Sequence, residues 1–133
     1  MPADRVYTRE QANALLPWLT ERLTELPSVA RELRKAQDAV RALGERARGN
    51  GHHDIDRERS RTEQEAAVLM RKVRRVLEEI TDRGIQVRDV DIGLVDFPGE
   101  RDGKPVWLCW KVGEKAVDHW HEHDQGFSSR QPF

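Results

Sequence analysis

The stretch IQVRDVDIGLVDFPGERDGKPVWLCWKV, residues 85–112, decides the fold, because the spacing of apolar residues changes there from the helical to the extended period. Ile85 and Val87, then Val90, Ile92 and Leu94, recur at every second position, with Gly93 placed as a bulge in a strand over 85–97. PGERDGKP (98–105) carries the Pro and Gly punctuation of a hairpin loop. VWLCWKV (106–112), rich in β-branched and aromatic residues, predicts the returning strand. Trp107 and Trp110 then fall on opposite faces of that strand. A hairpin of two strands is marginal alone and has to lie on something.

Upstream, the period is helical. Thr8 followed by Gln11 matches a capping box. Apolar residues recur at Ala12, Leu16, Leu19, Leu23 and Leu26, then at Val29, Leu33, Ala36, Val40, Leu43 and Ala47, an a/d stripe of about five heptads. Pro17 lies too far from Thr8 to be a first-turn residue of the same helix. This predicts a short first helix, a joint near 15–17 and a long helix to about 47, in which Pro27 is a second point of interruption. GNGHHD (49–54) reads as a turn, with His52 and His53 as loop residues. A second long helix is expected over about 55–82, capped by Asp54 or Asp56 and ended by Gly84. Its stripe runs Thr62, Ala66, Leu69, Val73, Val76, Ile80, and a second seam runs beside it through Met70 and Leu77. Two seams exceed what one partner helix covers, so the N-terminal segment folding back, a homodimeric bundle, or both are expected.

The expectation is therefore one domain over 1–133 of the mainly α (α+β) class. An elongated antiparallel helical hairpin with a kinked N-terminal helix fills 1–83, and a small β-hairpin with an irregular tail fills 84–133. Apolar residues make up 37% and charged residues 35% of the chain, a balance suited to helices with a single apolar stripe. The formal net charge is -1 with acids and bases interleaved, which argues against a nucleic-acid partner; RKVRR (71–75) runs straight into Glu78 and Glu79 and reads as a solvated face. No apolar run approaches the length of a membrane span and no signal peptide precedes the first helix, so a cytoplasmic protein is expected. The lone Cys109 fits a reducing compartment.

Chemistry-bearing residues gather toward the C-terminus. In HWHEHD (119–124), His119 and His123 would share a face on a helix, whereas His119, His121 and His123 would share one on a strand. The metalloprotease pattern H-E-x-x-H is absent, because Gln125 stands at its second ligand position. If 115–123 folds back as a short helix, Glu114 and His121 converge with Asp96 or Cys109. A mixed thiol, imidazole and carboxylate set of that kind suits zinc or iron. His119 and Glu122 complete the candidate metal ligands. His121 bonded to Glu114 or Asp96 would equally serve only to orient structure. Trp110 and Trp120, with Arg130 nearby, form either packed core or a face for an anion or aromatic ligand. Asp89 and Asp91 beside a turn fit solvated or capping roles.

GLVDFP (93–98), LCWKVGE (108–114), WH (120–121) and GFSSRQPF (126–133), with YTREQANALLPWL at the front, resemble the bacterial domain of unknown function 2203 family (DUF2203). Trp110, Gly113, Glu114, Trp120, His121, Gly126, Phe127, Arg130 and Pro132 are the matching positions. The resemblance covers the chain and implies no assigned activity. The reading carried forward is a metal-binding homodimer with its site around this C-terminal motif. The alternatives are an adaptor that binds a partner protein without metal, and a small enzyme using Glu114 and His121 as acid and base.

Overall fold

In the computed structural model, which describes residues 5–49 and 53–133, Thr8 starts the first helix as its spacing requires. Its hydroxyl accepts from the Gln11 backbone at 3.0 Å and its own N–H donates to the Gln11 side chain at 2.9 Å. Helix α1 covers Arg9–Ala14 and stops at Leu15, whose N–H turns back to the Ala12 carbonyl. Helix α2 then runs Leu16–Gly49. Pro17 is thus in the first turn of a new helix, where its missing donor costs nothing. Pro27 does not end α2; the helix continues through it, forgoing one backbone bond. Helix α3 covers His53–Thr81, with Asp54 and Asp56 inside its first turn rather than capping it from outside. The middle of the expected turn, residues 50–52 including His52, lies outside the described residues. Gly84 follows α3 at a φ of +80°, as a terminating glycine should.

The remainder departs from the hairpin and irregular tail. Five strands form one antiparallel meander in chain order: β1 Gln86–Asp89, β2 Leu94–Arg101, β3 Lys104–Lys111, β4 His119–Glu122 and β5 Gln131–Pro132. Two local facts account for the larger sheet. First, PGERDGKP is mostly strand: only Asp102 and Gly103 turn, both at positive φ (53° and 79°), the conformation that closes a two-residue hairpin with the native twist. β2 and β3 therefore pair over their full length, from Leu94–Lys111 to Arg101–Lys104. Second, HWHE is extended, not a helix over 115–123. It pairs with Val106–Cys109 on one edge and with β5 on the other, leaving a single 3-10 turn, Phe127–Ser129, between the last two strands. Gly93 is the turn from β1 into β2 at φ +67°, packed against Val112.

The chain divides into two compact units. One takes the chain up to Glu25 together with Val76–Phe133. In it the buried side chains of Ala12, Leu16, Leu19, Leu23 and Ile80 come from the helices, and those of Val95, Phe97, Val106, Leu108 and Trp110 from one face of the sheet. Tyr7 fixes the entry: its ring meets Phe97 edge-on at 5.4 Å, its hydroxyl donates to the Arg83 carbonyl and its N–H to that of Pro98. The segment before β4 is held to α1, since the Asn13 side chain accepts from the Val117 N–H at 2.7 Å and Arg9 donates to the Val117 carbonyl and pairs with Asp118. The other unit, Leu26–Arg75, buries Leu33 and Leu43 of α2, and α3 presents Thr62, Ala66, Leu69 and Val73 half-buried. Among the described residues no helix is long and apolar enough to cross a membrane.

Candidate metal centre

Strand alternation in β2 sends Val95 and Phe97 into the apolar core and Asp96 to the opposite face. The register places Asp96 across from Cys109, and Cys109 across from His119, with His121 two residues further along β4 on the same face. The result is a cluster of three buried side chains: Asp96, Cys109 and His121, each at most 2% exposed, with one donor atom apiece and all three within 4.8 Å of one another.

The hydrogen bonds around His121 carry a constraint. Its Nδ1 lies 2.9 Å from the Glu122 backbone carbonyl, which can only accept, so Nδ1 bears the proton. Nε2 then faces both carboxylate oxygens of Asp96, at 3.1 and 3.0 Å. In a neutral imidazole this nitrogen is itself an acceptor, and an acceptor facing a carboxylate repels it. Something positive belongs between them: a second proton, or a metal ion. A ligating histidine that donates its other N–H to a backbone carbonyl is the usual arrangement around a protein-bound metal. With bond lengths of about 2.0–2.3 Å, donors on one tetrahedral zinc stand roughly 3.3–3.6 Å apart. In the cluster His121 Nε2 and the Asp96 oxygens stand 3.0–3.1 Å apart, and no donor pair is more than 4.8 Å apart.

Charge around the cluster is arranged in two pairs. Arg88, from β1, donates through Nε to Asp96 at 2.9 Å and lies over the Trp107 ring. Arg130, just before β5, holds Glu114 through two bonds of 3.1 and 2.6 Å, and its Nη1 stands 4.0 Å from the Cys109 sulfur. Burial, then the nearby Asp96 charge, pushes the Cys109 thiol up to about 11. Burial would raise Glu114 as well, but the Arg130 hydrogen bond, the Lys111 backbone N–H and the Arg130 charge outweigh it and hold that carboxyl below its usual value. A cleft of about 320 Å³ opens beside the cluster, lined by Arg88, Leu94, Asp96, His121, His123, Gln125, Gly126 and Phe127.

A family model described as an uncharacterized conserved protein, DUF2203, matches residues 5–133. The chain belongs to that family. No curated protein and no solved structure matches it. In this DUF2203 chain the matching positions divide between the two sheet faces. Trp110 sits in the core and donates to the Glu114 carbonyl at 3.0 Å. Trp120 is half-buried beneath Arg101, with its indole nitrogen buried and unpartnered. Arg130 lies over Phe127. These three candidate ligand-binding residues are therefore not gathered around one pocket.

Of the six candidate metal ligands, the structure brings together Asp96, Cys109 and His121. Glu114 is occupied by Arg130 and the Lys111 N–H and makes no hydrogen bond with His121, so the acid–base pair is not formed. Glu122 is exposed and contributes its backbone carbonyl. His119 lies beside Cys109 in register with a buried, unpartnered Nδ1, outside the close cluster. His123 is exposed and stacks on Trp107 at 4.8 Å. Asp89 caps the β1–β2 turn, accepting from the N–H groups of Asp91 and Ile92. Arg88 was missed as a site residue. Its signal was the register of β1 on β2, which the turn at Gly93 sets and periodicity alone does not reveal.

Proposed function

We propose that this protein binds one divalent transition metal, zinc or iron(II), through Asp96 carboxylate, Cys109 thiolate and His121 Nε2. The observation that carries the reading is His121 Nε2 aimed at the Asp96 carboxylate while Nδ1 is committed to the Glu122 carbonyl, with a buried thiol within 4.8 Å of both. A carboxylate and a thiolate bring two negative charges to a dication, so the loaded centre is neutral, which suits its burial. One oxygen, one nitrogen and one sulfur donor fit borderline metals better than magnesium or calcium, which prefer oxygen alone. Arg130 beside the sulfur, steadied by Glu114, would stabilise the thiolate form.

Elemental analysis of untagged protein, with cobalt(II) substitution, tests the proposal. About one metal per chain and a thiolate-to-cobalt charge-transfer band that vanishes in Cys109→Ser are expected. Metal that survives both Cys109→Ser and His121→Ala would refute this site.

The proposal also includes self-association as a homodimer in the cytoplasm. Exposed Met70 on α3 supports it, because it lies on the second apolar seam. Sedimentation over a hundredfold range of concentration tests it, and a monomer throughout would remove that part.

A further inference from the structure

The metal reading, on which this inference rests, supplies three protein donors and leaves one position of a four-coordinate ion without a protein ligand, as in metal sites that act on a bound molecule. The cleft indicates where that position faces. Asp96 and His121 line it, and Cys109 does not. An ion held by all three therefore has the sulfur on its interior side and its free position toward the cleft.

The charge balance changes when the ion enters. Without it, Arg88 is matched by Asp96. With a dication neutralising Asp96 and the Cys109 thiolate, and with Glu114 matching Arg130, the Arg88 charge is left uncompensated at the cleft wall. Arg88 uses only Nε on Asp96; its two terminal nitrogens have no hydrogen-bond partner among the described residues. The Trp107 ring lies under the Arg88 guanidinium, 5.0 Å from its central carbon, and stacks on His123. Gln125 and His123 add further donors to the wall, and no carboxylate but Asp96 lines it. A cleft of about 320 Å³ is at the small end of ligand pockets.

We infer that this cleft binds a small oxyanion, a carboxylate or phosphate-type group, one oxygen of which ligates the metal while another is held by Arg88. A planar guanidinium with two free donors presents the fork that such groups accept.

The test uses the full chain loaded with cobalt(II). Its thiolate band reports the metal site, and its visible ligand-field bands report the free position. Acetate and methylphosphonate are titrated separately at constant ionic strength, with chloride as control, so that the two arms distinguish the carboxylate from the phosphate source. Saturable change in the ligand-field bands with at least one oxyanion, and none with chloride, is expected. Arg88→Gln should weaken that binding about tenfold or more, as for loss of a charged hydrogen-bond donor, with the thiolate band retained. Absence of the thiolate band in the unaltered protein would overturn the metal reading and this inference together. A thiolate band with no oxyanion response, or an unchanged response in Arg88→Gln, would overturn this inference alone. Should Arg88→Gln lose cobalt, Gln125→Ala and His123→Ala decide, both being exposed wall positions: weaker oxyanion binding in either supports the cleft, and unchanged binding in both overturns it.

Discussion

Cys109 separates a metal centre from a merely packed thiol, because its loss costs little without metal and much with it. With burial and Asp96 pushing its thiol up to about 11, Cys109 is neutral at pH 7.5 and behaves as a small buried hydrophobe. Cys109→Ala in metal-free protein should therefore cost about 1 kcal/mol, the loss of one methyl-sized group from a packed site. Zinc at a hundred times its Kd adds about 2.7 kcal/mol to the folded state. For 133 residues melting in one transition the unfolding entropy is about 0.28 kcal/mol per K, so zinc should raise Tm by roughly 10 °C. If losing the thiolate weakens zinc a hundredfold, the same concentration adds only about 0.4 kcal/mol to Cys109→Ala, a shift of roughly 1–2 °C. Scanning calorimetry of chelator-stripped protein, with and without zinc, gives all four values. The pH dependence supplies a second reading. Zinc must displace the thiol proton, so below about pH 11 the thiol contributes a tenfold gain in apparent affinity for each unit of rising pH. That contribution disappears in Cys109→Ala. A variant that keeps two-thirds of the zinc shift, or the same pH slope, refutes the assignment of Cys109 as a ligand.

His121→Ala should abolish the zinc-induced Tm shift whereas His119→Ala should preserve most of it, since only His121 belongs to the close cluster; equal effects in the same calorimetric assay would call for a different donor set. Glu114 is held below its usual pKa in the folded chain, so the stability it contributes is complete above the unfolded carboxylate value of about 4.3 and is lost as pH falls through the lower folded value. Urea titrations should accordingly show Glu114→Gln less stable by about 1 kcal/mol at pH 7, with the difference closing toward pH 3; a difference that persists at low pH would mean the pair is not its source. Gly93→Ala should destabilise by about 2–4 kcal/mol, because it combines a φ of +67° with a Cβ placed 2.4 Å from Val112 Cγ2. Gly103→Ala meets nothing within 4 Å and should cost only the left-handed strain, about 1 kcal/mol; equal midpoint losses would show that strain, not the Val112 contact, decides.

The helices were legible because each depends on signals within a few residues. Thr8 and Gln11 cap each other across three positions, and Gly84 ends α3 through its own backbone. The joint expected near 15–17 falls at Leu15, with Pro17 in the first turn of the helix that follows. The sheet was less legible where two local rules competed. Pro98 and Pro105 made 98–105 look like loop, but a prolyl residue needs only a partner that does not require its N–H, and the Asp102–Gly103 pair was sufficient to turn the chain. The tail HWHE offered both a helical and an extended pairing of histidines, and the choice depended on whether β3 had a free edge to offer, which is not a local property. Asp96 and His121 were among the candidates that a fold-back of the tail would bring together. That Cys109 and not Glu114 would join them followed only from register.

Register also explains why a polar cluster in the body of the sheet is compatible with folding. A slip of one residue between β2 and β3 exchanges the two faces of a strand. It would drive the Asp96 carboxylate into the core now filled by Val95, Phe97 and Leu108, where no Arg88 or His121 could meet it, and an unpaired buried charge costs several kcal/mol. Leu108 adds a steric condition on the core face, since its side chain occupies the space that a Cβ at Gly99 would need. The correct register thus satisfies both faces at once, apolar against the helices and ionic against the cleft. The same alternation that pins the sheet gathers a carboxylate, a thiol and an imidazole from three different strands. Because strands hold positions more rigidly than loops, the cluster is set on the part of the chain best able to keep three donors in place. Asp96→Asn probes that link: it keeps the shape, removes the charge, and should abolish metal binding while leaving the strand pairing, read by amide hydrogen exchange across β2 and β3, in its present order. Loss of the pairing together with the metal would instead make the carboxylate a structural charge first and a ligand second.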